Sequence, residues 1–162
     1  MLWTDKPAPG YRPNVGLMLL NGEGKVFVGR RIDMPGAWQM PQGGLDQDET
    51  PEAAALRELE EEIGTRRATV LFASPGWIGY DFPPEIVLRA FKGNWRGQAQ
   101  KWFALRFTGV DRDFRLDGKH AEFDAWRWVE RDKLVQLIVP FKRAVYTAVL
   151  ADFEPRLRAL GY

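Results

Sequence analysis

Three glutamates, Glu58, Glu61 and Glu62, stand close together in the chain, at spacings of three and four that make side chains neighbours on a helix surface. On a helical wheel centred on Leu56, Leu59 and Ile63 fall within about 60° of it, while the three glutamates share an arc of roughly 100° on the far side. Glu60 stays outside that arc. Like charges so placed each cost a helix ~0.2–0.5 kcal/mol, so something positive should relieve them. A divalent cation with hard oxygen ligands, Mg2+ or Mn2+, would do so and would leave positions open for water and phosphate. The alternative is a solvated acidic face neutralised by nearby arginine or lysine.

Composition narrows the chemistry. The chain has no cysteine and one histidine, which excludes disulfides, thiolate sites, cysteine nucleophiles and polyhistidine zinc. Any metal must be held by oxygen. At 162 residues and 45% apolar content, one domain spanning 1–162 with a single core is the expected organisation. Residues 1–10 show no basic-then-apolar leader pattern and no 18-residue apolar run occurs, so a cytoplasmic protein with no membrane association is expected. The net charge of +1 hides an asymmetry: residues 1–85 hold 8 basic and 13 acidic groups, and 86–162 hold 15 and 9. An acidic half facing a basic half would suit a cation site beside a groove for a polyanion.

The elements that must position the glutamates follow from local chemistry. Thr50 suits a helix N-cap, Pro51 the first helical position and Gly64 the stop, with strong helix formers between them. Ahead of this helix, residues 15–21 and 25–31 read as a β-hairpin around an Asn21-Gly22 turn. Residues 38–40 read as a short extended piece and 41–49 as a turn-forming loop. Further strands are expected at 69–73, 86–91, 101–108 and 123–129, and a final helix over 141–160, bent near Pro155. His120, Trp126 and Trp128 receive no chemical role, and nothing resembles a P-loop.

Gly43 is followed after five residues by Glu49, and after seven more by Arg57, Glu58, Leu59, Glu61, Glu62 and Gly64 at fixed spacing. This resembles the Nudix box, G-x5-E-x7-R-E-U-x-E-E-x-G-U, where U is bulky aliphatic. Eight specified positions match; Thr65 departs from the last, beyond the carboxylates. The resemblance implies an α/β fold, an α/β/α sandwich around a mixed β-sheet, in which Glu58, Glu61 and Glu62 ligate the metal. Glu49 would be a nearby carboxylate and Arg57 the base that orients the glutamates.

Segments 11–16, 38–44, 100–103, 122–128 and 141–146 look like the bacterial RNA pyrophosphohydrolase and dinucleoside polyphosphate hydrolase branch of that family. That likeness points to Glu122 as a further metal ligand or general base, competing with a box glutamate for the latter role. It places Arg12, Arg31, Lys101 and Lys142 on the polyphosphate, where charge complementarity agrees. Tyr80 would contact phosphate and Phe141 would stack on a base. The function so implied is hydrolysis of a phosphoanhydride in a nucleotide or RNA 5′-end substrate, either 5′-triphosphate RNA or a dinucleoside polyphosphate, with no protein partner called for. The alternatives are a housecleaning hydrolase of mononucleotides or nucleotide sugars, and a non-catalytic nucleotide or RNA binder.

Overall fold

A seven-stranded mixed sheet is the frame of the protein in a computed structural model that describes residues 2–162. Its strands are β1 (Tyr11–Leu20), β2 (Val26–Arg31), β3 (Trp38–Gln39), β4 (Gln42–Gly44), β5 (Ala68–Asp81), β6 (Gly97–Phe107) and β7 (Phe123–Val129). The helices are α1 (Pro51–Ile63), α2 (Pro84–Val87), α3 (Leu134–Leu137) and α4 (Arg143–Ala159). β1 lies parallel to β6 along its whole length, from Tyr11 opposite Gly97 to Leu20 opposite Arg106. β5 closes one side antiparallel to β6, β4 pairs with β1, and β3 and β7 pair with β2.

Alternation along β1 divides the core into two layers. Val15, Leu17 and Leu19 pack with Ala54, Ala55, Leu59 and Ile63 of α1. Met18 and Leu20 face the other way, onto Val145, Val149 and Phe153 of α4. A helix therefore covers each face of the mixed sheet, as the resemblance implied. Leu59 is fully buried in the α1 layer, so Leu59→Ala is expected to lower unfolding free energy by about 2–5 kcal/mol, read from urea denaturation.

Several expectations are corrected. Residues 86–91 are not a strand: Pro83 and Pro84 start the short helix α2, and a turn at Ala90–Gly93 follows with Phe91 and Lys92 in the left-handed region. Proline at the first helical position favours that outcome over extension. The hairpin survives only next to its turn, where Leu20 pairs with Val26. Both edges of β1 are already taken by β6 and β4, which leaves β2 to pair with β7 and β3. The turn is also wider than Asn-Gly: Asn21 Oδ1 accepts from the backbone N–H groups of Glu23 and Lys25, and the positive φ falls on Gly24 at 76°.

Part of the expected loop 41–49 is strand β4, and the strand expected at 69–73 continues to Asp81 through a register shift between Ala73 and Trp77. The last helix begins at Arg143, after a 3-10 turn at Pro140–Lys142, and runs on through Pro155. Among the described residues no helix is long and apolar enough to cross a membrane.

Candidate active site

Thr50 caps α1 by accepting a hydrogen bond from the Ala53 N–H at 3.2 Å, which fixes where the helix starts and so which way its glutamates point. The helix has two buried faces. One is the apolar stripe, with Leu56 half-buried at its margin; the other carries Glu58 and Glu62, only 9% and 4% exposed. The second face lies against β4, where a Cβ on Gly43 would fall 1.9 Å from the Glu58 carboxyl carbon. Glycine is required there because the carboxylate packs directly on the strand backbone.

Arg57 organises the acids. Its Nε and Nη2 donate to the two oxygens of Glu49, both at 2.8 Å, and Nη2 also donates to the Gly44 carbonyl at 2.8 Å. Nη1 donates to Glu58 Oε1 at 2.8 Å and to Glu61 Oε2 at 3.2 Å. These charge-assisted bonds hold the Glu49 carboxyl down at about 2 and push the Arg57 guanidinium above its ordinary value. Burial pushes Glu58 up despite Arg57, and it pushes Glu62 well up, with repulsion from Glu58 and Glu122 added. Glu62 Oε2 is buried and has no hydrogen-bond partner.

Glu58, Glu61 and Glu62 form one wall of a cavity of about 650 Å3, which Arg12, Arg31, Tyr80, Glu122, Phe141 and Lys142 also line. Sequence reasoning thus named nine residues that the fold brings to one cleft. Arg57 stands behind the wall. Lys101 does not reach the cavity: Gln98, Gln100 and Trp102 alternate onto one face of β6, so Lys101 shares the opposite face with Phe103 and Leu105.

Glu122 sits across from the helix, and burial raises its carboxyl while Arg31 draws it back. Arg31 is itself held by Asp33 through bonds of 3.0 and 2.8 Å. Among the described residues no three acidic or histidine side chains converge as a ready metal cluster; Arg57 holds oxygens of Glu58 and Glu61 instead. The donor set still fits a divalent cation, because its oxygens are hard ligands and the unpartnered Glu62 oxygen is a buried polar atom in need of a partner.

Lys142 is 4% exposed, and its Nζ donates to Gln39 Oε1 at 3.3 Å and Gln42 Oε1 at 3.2 Å. Burial lowers it from 10.5 to about 7, with Arg31 adding repulsion. A lysine whose folded value lies below its unfolded one destabilises the fold while charged, so stability should climb as pH rises from about 7 toward 10.5. Lys142→Met is expected to abolish that climb and to be at least as stable as wild type at neutral pH, measured by urea denaturation across this window.

A run of amides absent from the sequence reading supports the cationic wall. Trp102 Nε1 donates to Gln100, Gln100 to Asn14, and Asn14 to Gln98 Oε1, which also accepts from Arg12 Nη1 at 3.1 Å. Gln98 and Gln42 both donate to the Tyr80 hydroxyl oxygen, which leaves the Tyr80 proton to offer to the cleft. The sequence signal was slight, Gln98, Gln100 and Trp102 recurring at a period of two, and the structure supplies the rest: the strand is buried along nearly its whole length. Buried amides must find partners, and here they find one another.

An acidic helix faces a cation-lined cleft on a sheet covered by helices on both faces, an arrangement suited to phosphoanhydride hydrolysis. Residues 10–149 match the family model described as NUDIX domain, and the chain belongs to the Nudix hydrolase family. It is 61% identical over 142 residues to an RNA pyrophosphohydrolase of Rhodospirillum rubrum, covering 88% of this chain and 86% of that one. An RNA pyrophosphohydrolase of Gluconacetobacter diazotrophicus is 52% identical, with 93% and 95% covered. The solved E. coli dihydroneopterin triphosphate pyrophosphohydrolase shares the fold, with a TM-score of 0.67 at 17% identity over 92% and 99% of the two chains. The family depends on a divalent metal.

Proposed function

We propose that the protein removes pyrophosphate from 5′-triphosphate RNA, with Mg2+ or Mn2+ held by Glu58, Glu61, Glu62 and, from across the cleft, Glu122. The observation that carries this reading is the buried, unpartnered Glu62 carboxylate facing Arg12, Arg31 and Lys142 in one cavity. Two relatives that match along most of their length are RNA pyrophosphohydrolases by name. The substrate pool so read is cytoplasmic.

In the reaction a water oxygen bonds to phosphorus, the P–O bond to the departing pyrophosphate breaks, and the water's proton passes to a carboxylate. A divalent cation, when bound, would offset phosphate charge and make water easier to deprotonate. Glu122 and Glu58 are the candidates to take the proton, because burial raises both carboxyls from their ordinary value. Arg57 keeps Glu58 and Glu61 aligned, and the Tyr80 hydroxyl with Lys142 and Arg12 meets the polyphosphate oxygens. Phe141 offers a ring for a base beside Tyr80, the two centroids 5.9 Å apart.

The same groups would accept a dinucleoside polyphosphate, which also presents a nucleoside on a polyphosphate chain. Purified protein with Mg2+ or Mn2+ should be offered 5′-triphosphate RNA, diadenosine tetraphosphate and ADP-ribose in parallel. Turnover of RNA, with or without the tetraphosphate and with ADP-ribose inert, is the expected result. Turnover of ADP-ribose alone would overturn the substrate class, and no turnover of any would favour a binding module.

A further inference from the structure

The segment from Phe82 to Phe91 forms the outer wall of the cleft, contributing Phe82, Ile86, Arg89, Ala90 and Phe91 to its lining. Neither α2 nor the turn after it contains a buried residue, so Phe82, packed against the core, is what anchors this wall. Its backbone is unusual. Phe91 (φ 51°, ψ 38°) and Lys92 (φ 59°, ψ 28°) are consecutive left-handed residues with side chains, a conformation that L residues adopt only against a steric penalty and that clusters at ligand clamps.

That backbone sets the Phe91 ring, 42% exposed, against two partners. Phe82 stacks on it with centroids 6.0 Å apart, and the Arg12 guanidinium carbon stands 4.2 Å over its centroid. Arg12 is half-buried, and among the described residues its side chain makes one hydrogen bond, from Nη1 to Gln98. A guanidinium fixed by its face on an aromatic ring keeps its in-plane N–H groups free for phosphate oxygens.

Resting on the phosphoanhydride reading above, we propose that Phe91 is a positioning residue for polyphosphate binding: its ring holds the Arg12 guanidinium at the cleft wall with unused N–H donors turned to the substrate. The left-handed turn is what brings that ring to Arg12. Phe91 touches no reacting atom in this role; it acts through the arginine.

The test uses the full chain and inorganic tripolyphosphate in calorimetry, together with kcat and KM on 5′-triphosphate RNA. Phe91→Ala should weaken tripolyphosphate binding about fivefold and raise KM comparably with kcat nearly unchanged, the size expected of one exposed cation–π contact. Phe91→Tyr, which keeps a ring, should behave as wild type. Phe91→Gly, which removes the strain with the ring, should unfold no earlier than wild type yet bind as weakly as Phe91→Ala. In an Arg12→Ala background Phe91→Ala should add nothing.

Wild-type affinity in Phe91→Ala, an equal loss in the Arg12→Ala background, or no tripolyphosphate binding by wild type would overturn the proposal. If wild type turns over none of the offered nucleotides yet shows the Phe91–Arg12 coupling on tripolyphosphate, the inference stands and the substrate reading falls.

Discussion

Glu62→Gln is expected to lower kcat about a thousandfold while leaving the protein as stable as wild type or more so. A loss of that size corresponds to about 4 kcal/mol of transition-state stabilisation, within what a lost charge at a metal-assisted centre removes. The stability half of the result comes from the same atoms. Glu62 is buried, one of its oxygens has no partner, and burial with the nearby charges of Glu58 and Glu122 pushes its carboxyl well above 4.5. Because the folded value is the higher one, its ionisation destabilises the fold as pH rises past 4.5. A neutral amide of the same shape escapes that cost, so the variant should gain on wild type as pH climbs from acid to neutral. Phosphate-release assays and urea denaturation in metal-free buffer read the two halves. A variant retaining a tenth of wild-type kcat, or one unfolding more easily at neutral pH, would remove Glu62 from the role assigned to it.

What could be read in the sequence follows the range of the physical signal. Helix α1 is local: its cap, its proline and its apolar spacing sit within a few turns, and the structure begins and ends it where those residues require. The glutamate arc was equally local, but its surroundings were not. A wheel cannot show that Glu58 and Glu62 press against β4, because that contact depends on Gly43 approaching from outside the helix. Arg57 likewise stood out as an orienting base, whereas its reach to Glu49 and the Gly44 carbonyl is a property of the loop's path. Lys101 is one residue out of phase with Gln98 and Gln100, and a period of two turns that offset into the opposite face of the sheet. The stretch 86–91 looked extended because Ile86, Val87 and Leu88 are apolar in succession, yet it packs into no sheet; two prolines before it and the left-handed Phe91 and Lys92 at its end decided the matter. The β1–β6 pairing joins residues far apart in the chain, and no local pattern announces a partner at such separation.

Arg57→Met should unfold with about 1–3 kcal/mol less free energy than wild type at neutral pH, the cost of leaving half-buried carboxylates without their charged donor. The arginine side chain is 21% exposed and that of Glu49 14%, so water screens the pair only in part. Five hydrogen bonds to Glu49, Glu58, Glu61 and Gly44 are lost together, and methionine offers similar length without a donor. The sign of the pH dependence separates this from ordinary loss of packing. Glu49 has its carboxyl lowered from 4.5 to about 2, chiefly by its bonds to Arg57. A lowered folded value stabilises the protein above pH 4.5, and that contribution fades as pH falls toward 2. The gap between wild type and Arg57→Met should therefore narrow steadily between those limits, since protonated glutamates no longer need the cation. Arg57→Lys should recover only part of the difference, because a single ammonium cannot span Glu49 and Glu58 as a planar fork does. Urea denaturation series on the three proteins at neutral and acid pH give the comparison. A gap that stays constant through the acid range would mean that Arg57 stabilises by packing, and that Glu58 and Glu61 are aligned by something else.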